Sequence, residues 1–137
     1  MNKHVALTIL AAAIAFTSSA CTQKYLEFSV WEGPSQVSQA KKKFVGGIGG
    51  YHDEAWALLE KNDVDGTIAL IDGSSSKNYF DWYNLAVLYT VKHDWAKAEE
   101  CIQKAIEDHE KSFNKPYDML QEELAYIQDH RARYVSQ

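Results

Sequence analysis

Cysteine and proline are scarce in this chain, two of each in 137 residues, and glycine occurs only seven times. So few breakers exclude a collagen-like or low-complexity polymer, and two cysteines cannot build the disulfide framework of a small secreted scaffold. Positive charge is also short: 14 Lys and Arg against 19 Asp and Glu leave a formal net charge of −5. Such a chain repels polyanions, so no nucleic-acid partner is expected. The uncharged run from Val5 to Phe16 would cover about 18 Å as a helix, short of the roughly 30 Å of bilayer hydrocarbon. Catalytic patterns are missing too. His4, His52, His93, His109 and His130 are scattered, and neither His-Glu-x-x-His nor Cys-x-x-Cys occurs. Gly46-Gly47-Ile48-Gly49-Gly50 lacks the preceding strand and the Lys of a phosphate loop. An enzyme is therefore not expected, nor a cofactor or a bound metal.

What is present suffices for one compact domain. Apolar residues make up 46%, and four Trp, eight Tyr and five Phe are enough to fill a small core. Residues 1–20 have the layout of an export signal: Lys3 and His4, the apolar run, then Thr17-Ser18-Ser19-Ala20 before Cys21. A cysteine after small residues at the end of such a leader resembles the lipobox of bacterial lipoproteins, with Ser18 standing where that family has Leu. The resemblance implies lipidation of Cys21, and several acyl chains at ~0.8 kcal/mol per buried methylene hold a protein firmly on a membrane. Thr22 is not the Asp that retains such proteins at the inner membrane, so the resemblance implies the periplasmic face of the outer membrane. If Cys21 stays unmodified, the same leader implies a periplasmic or secreted protein. Cys101 lies in an apolar helical pattern and reads as a small buried hydrophobe.

Residues 21–50 read as a lipidated N-terminus and extended tether, broken at Gly33-Pro34 and at the glycine run. Within it Leu26, Phe28 and Val30 alternate with Glu27 and Ser29, a period-two signal for an extended segment that either lies on its own domain or adds to a partner's sheet edge. Gln36 to Phe44 reads as a short helix. Lys41-Lys42-Lys43 reads as a solvated charge run or a contact for anionic headgroups. From Tyr51 to Gln137 every apolar spacing is helical. Asn62-Asp63, Asn78 and His93-Asp94 supply caps or turns, and Asn114 with Pro116 opens a last helix.

A regular helix–turn–helix alternation calls for a repeat test. Residues 79–112 contain Trp82-x2-Leu85-Ala86-x2-Tyr89, then Ala98-x3-Ile102-x2-Ala105. This pattern resembles the tetratricopeptide repeat, with Glu110 where the family has its terminal Pro. Small side chains at Ala86, Ala98 and Ala105 would let two antiparallel helices approach, with Trp82, Leu85, Tyr89 and Ile102 filling between them. A degenerate copy spans 51–78: setting Asn62-Asp63-Val64 over His93-Asp94-Trp95 aligns Ala55 with Ala86, Leu58 with Tyr89, Thr67 with Ala98 and Ile71 with Ile102. Residues 114–137 then act as the capping helix such arrays need. The expected fold is an all-α tetratricopeptide-like solenoid of about two repeats and a cap.

That resemblance implies binding rather than catalysis, with a peptide or partner helix held in a concave groove. The groove positions it implies are Phe80, Tyr83, Val87, Thr90 and Val91 in the matched repeat and His52, Trp56 and Leu59 in the degenerate one. Tyr83 and Val87 replace the Lys and Asn with which some members clamp a terminal carboxylate, so an apolar segment is the expected ligand. The expected role is an adaptor or assembly factor for a cell-envelope complex. Two alternatives stand beside it. One is a self-associating structural lipoprotein in which the groove residues merely pack. The other is a calcium-responsive regulator built on Asp63, Asp65, Gly66 and Asp72, a loop that partly fits an EF-hand but has Lys61 at its first ligand position.

Overall fold

The computed structural model describes residues 24–33, 36–45 and 51–135. The leader and Cys21 lie outside the described residues, as does the glycine run. The order is a β-hairpin, β1 (Lys24–Gly33) and β2 (Gln36–Phe44), followed by five helices: α1 (His52–Glu60), α2 (Val64–Asp72), α3 (Tyr79–Val91), α4 (Trp95–Phe113) and α5 (Asp118–Val135). The fold is mostly helical with one two-stranded antiparallel sheet. Two expectations are corrected: the chain is not all-α, and Gln36–Phe44 is a strand instead of a helix.

The helices follow from local chemistry. Asn78 forms a capping box with Asp81 at the start of α3, and Asp63 and Asp94 cap α2 and α4 by accepting from the backbone N–H three residues on, at Gly66 and Lys97. Asn114, expected as the cap of the last helix, instead ends α4 in the left-handed region at φ 51°.

The turns joining α1 to α2 and α3 to α4 are the same structure. Asn62 and His93 have φ 59° and 57°. The cap residues behind them, Asp63 and Asp94, sit at φ/ψ −88°/74° and −89°/75°. Hydrogen bonds match as well: Asp63 N–H donates to Leu58 O and Asp94 N–H to Tyr89 O, both at 2.9 Å. This is an internal structural repeat in the register Asn62–His93. Burial follows it, for Ala55, Ala86, Thr67, Ala98, Ile71 and Ile102 are all fully buried. Thr67 occupies a small-residue position because its hydroxyl donates back to Asp63 O at 2.8 Å. The register loosens upstream, where Glu54 is exposed and Leu85 is buried.

Each helix packs on the next, with α3 against α4 the most extensive contact between helices. The hairpin joins this stack through one face. Leu26, Phe28 and Val30 of β1 and Ala40 and Phe44 of β2 are buried in the same core as Trp56, Leu59, Tyr83, Val87, Val91, Leu120 and Ile127. In the hairpin register Leu26 lies opposite Lys42 and Phe28 opposite Ala40, so these residues share the inner face.

Candidate functional site

The helix faces expected to line a groove are covered. Both strands touch α3, and β1 also touches α5. Phe44 packs on His52 and Trp56 of α1, with ring centroids 5.4 and 6.1 Å apart, and Lys24 Nζ stands 5.0 Å over the Trp56 ring. The hairpin therefore lies along α1, α3 and α5, the alternate helices that would line the inner face of a repeat array. Of the eight expected groove residues, Tyr83, Val87, Thr90, Val91, Trp56 and Leu59 are buried, and only Phe80 and His52 are half-buried. Burial and the nearby Glu123 carboxylate push the Tyr83 phenol well above its ordinary range. The sequence signal for this arrangement was the alternation at Leu26, Phe28 and Val30, which marks a strand with one buried face.

Two polar devices fasten the hairpin. At its end, Asn84 of α3 accepts from Val45 N–H at 3.1 Å and donates to Val45 O at 2.6 Å. Asn84 also donates to the Tyr51 hydroxyl at 3.4 Å. That hydroxyl donates to Asp81, whose other oxygen accepts from Asn78 N–H at 2.8 Å in the capping box. Burial, with the Asp81 contact second, drives the Tyr51 phenol far above its usual value.

Two residues before the end of β2, Lys42 Nζ meets Glu123 of α5 at 2.8 Å and lies 3.4 Å over the Tyr126 ring. Glu123 is 4% exposed, and its Oε1 has no hydrogen-bond partner among the described residues. Desolvation raises the Glu123 pKa, opposed by Lys42. The lysine run is thus divided by strand alternation, which corrects its reading as one solvated patch: Lys42 points into the protein, while Lys41 is exposed beside Glu27, 3.4 Å away, and over Tyr25.

The repeat-signature residues divide between buried and half-buried positions. Leu85, Ala86, Ala98, Ile102 and Ala105 are buried between helices, and Trp82 and Tyr89 are half-buried with lysines over their rings, Lys104 at 4.7 Å and Lys97 at 5.3 Å. Cys101 is buried beside them as a free thiol, and burial pushes its pKa up to about 12. The residues of the partial calcium loop are employed otherwise. Asp63 caps α2 and Asp65 pairs with Lys92. Among the described residues no three His, Cys, Asp or Glu gather as metal ligands, and no helix is long and apolar enough to cross a membrane. No family model matches the chain, and neither a curated protein nor a solved structure matches it.

Proposed function

We propose that this chain is a tetratricopeptide-like interaction module, exported and held at the outer membrane through lipid on Cys21, that acts as an adaptor or assembly factor for an envelope complex. The observation that carries the reading is the repeated turn. Two helix–turn–helix units with the same backbone geometry at Asn62-Asp63 and His93-Asp94, each with small or compact residues at the helix contact, are the unit from which such arrays stack. A stacked array offers broad surfaces without chemistry of its own, which suits binding in place of catalysis.

The covered inner face changes where a partner is met. With the hairpin covering these helix faces, the partner surface consists of what the hairpin presents outward, where Val37, Gln39 and Lys41 of β2 are exposed. Burial of six expected groove residues also favours a second reading, a self-associating structural lipoprotein whose groove is simply core.

Two measurements test this. Labelled palmitate should be incorporated by the wild-type chain and lost in Cys21→Ser; no label in the wild type removes the anchor from the proposal. A photo-crosslinker placed at Val37 in cells should then trap a defined envelope protein for an adaptor and a second copy of the chain for the structural reading. Adducts at neither end of that choice, with the variant folded and exported, would remove both.

A further inference from the structure

An aromatic cavity of about 380 Å³ opens where α4 turns into α5, away from the hairpin and its fastenings. The left-handed Asn114 reverses the chain, which returns Tyr117 to the side of His109 with ring centroids 5.0 Å apart and planes at 26°. Tyr79 of α3 stands edge-on to this group, at 89° to His109, 86° to Phe113 and 86° to Tyr117, with centroids 4.8, 5.9 and 6.3 Å away. Phe113 also lies 4.7 Å from His109 at 33°, so His109, Phe113 and Tyr117 form a group of near-parallel rings that Tyr79 walls off at a right angle. Phe113 is 52% exposed; it and Val37 are the exposed large apolar side chains of the described residues. The cavity size falls at the small end of ligand sites.

The lining chemistry selects the occupant. Ring faces are negative, so they attract a cation. Asp118, exposed, adds a carboxylate to the lining. His109 Nδ1 lies 3.1 Å from Lys115 O; a carbonyl only accepts, so Nδ1 carries the proton and a neutral ring keeps an unprotonated Nε2. Lys115 itself is exposed, which lets its ammonium stay in water at the rim. Elsewhere this protein covers its aromatic faces with its own lysines, at Trp56, Tyr25, Tyr126, Trp82 and Tyr89. Among the described residues, no lysine contact of that kind occupies Tyr79, Phe113 or Tyr117, the rings that border open space. A bare ammonium entering this box would lose hydration that few acceptors replace, whereas a methylated ammonium has little to lose.

We infer that this cavity binds a methylated ammonium group of the choline type, walled by Tyr79, Phe113 and Tyr117 with Asp118 as counter-charge. The test is a two-dimensional NMR titration of the purified chain with choline and with 3,3-dimethylbutan-1-ol, its neutral isostere. Choline should shift the ring signals of the box saturably, and the isostere should bind at least roughly tenfold more weakly, as a cation–π contribution of about 1.4 kcal/mol demands. Phe113→Ala and Tyr117→Ala should lose choline binding while their melting stays cooperative, and Tyr117→Phe should retain it. If Tyr117→Ala unfolds the turn, the half-exposed Phe113 still decides. Sedimentation with phosphatidylcholine but not phosphatidylglycerol vesicles would place the group on a lipid, and binding of choline without vesicle binding would place it on a free solute. Equal affinity for the isostere, or no saturable choline shift, overturns the inference.

Discussion

Asn84 holds both sides of the Val45 peptide unit, accepting from its N–H at 3.1 Å and donating to its C=O at 2.6 Å. One buried side chain on α3 thereby fixes the residue that directly follows β2, and with it the hairpin's exit onto the helical stack. Replacing Asn84 by Ala leaves a buried backbone donor and acceptor without those partners, which costs about 1–3 kcal/mol. Asn84→Asp keeps the acceptor and loses the donor to Val45 O, so it should also destabilise. Urea unfolding reads the stability, and limited proteolysis should show faster cleavage near residues 45–51 than in wild type. Unchanged proteolysis in a destabilised variant would show that the pair does not fasten the hairpin.

Lys42 and Glu123 should behave as a coupled pair. Either single change, Lys42→Met or Glu123→Leu, strands the other group in a buried setting and should cost about 3 kcal/mol. The double variant places two apolar side chains in contact and should recover to within about 1 kcal/mol of wild type. Strictly additive losses in denaturant titrations would refute the coupling.

Ala86 is a test of the close helix approach. Leu at this fully buried position overfills the seam between helices and should destabilise by about 1–3 kcal/mol. The exposed Ala96 on α4 provides the control, since Leu there should change stability by less than about 0.5 kcal/mol. Equal effects at the two sites would mean the helices are not tightly seamed.

Acid should weaken the fold beginning near pH 6.5. Burial lowers the pKa of both His52 and His93, a hydrogen bond to the Ser29 backbone opposing it at His93. A depressed histidine pKa means the unfolded chain takes the proton first, so the stability these groups lend is present above pH 6.5 and lost as pH falls through their lowered folded values. Glu123 works in the opposite sense: its raised pKa means the folded state protonates more readily, which relieves burial of its charge. Melting temperatures at pH 7.5 and 5.5 should differ in the wild type, and the difference should shrink in His93→Gln. A flat profile would contradict the histidine assignment.

Cys101 should be chemically silent while the chain is folded. A buried thiol with a pKa of about 12 carries almost no thiolate at neutral pH. Iodoacetamide labelling followed by mass spectrometry should modify it only in denaturant; prompt labelling in native buffer would show that this helix face opens.

Much of the helical stack was legible along the chain because its determinants are local. The Asp63 and Asp94 caps, the Asn78–Asp81 box, and apolar residues at helical spacing each act within a few residues, and the 31-residue register between Asn62 and His93 followed from matching turns. The hairpin was only half legible. β1 announced itself at Leu26, Phe28 and Val30, but Gln-Val-Ser-Gln-Ala-Lys-Lys-Lys-Phe carries little strand pattern of its own, and β2 exists through pairing with β1, docking on α3 and the Lys42–Glu123 pair to α5. The aromatic cavity was invisible for a similar reason, since Tyr79 and Tyr117 meet only after Asn114 reverses the chain.

Helix starts, turns and the repeat register can be read along the chain, because capping and side-chain spacing are settled by near neighbours. That Tyr83, Val87 and Val91 are core and not an open groove is set by packing between distant segments. An apolar helix face reads the same whether a partner or the protein's own hairpin covers it, and the choice depends on contacts between residues far apart in the chain, such as Val45 with Asn84 and Lys42 with Glu123.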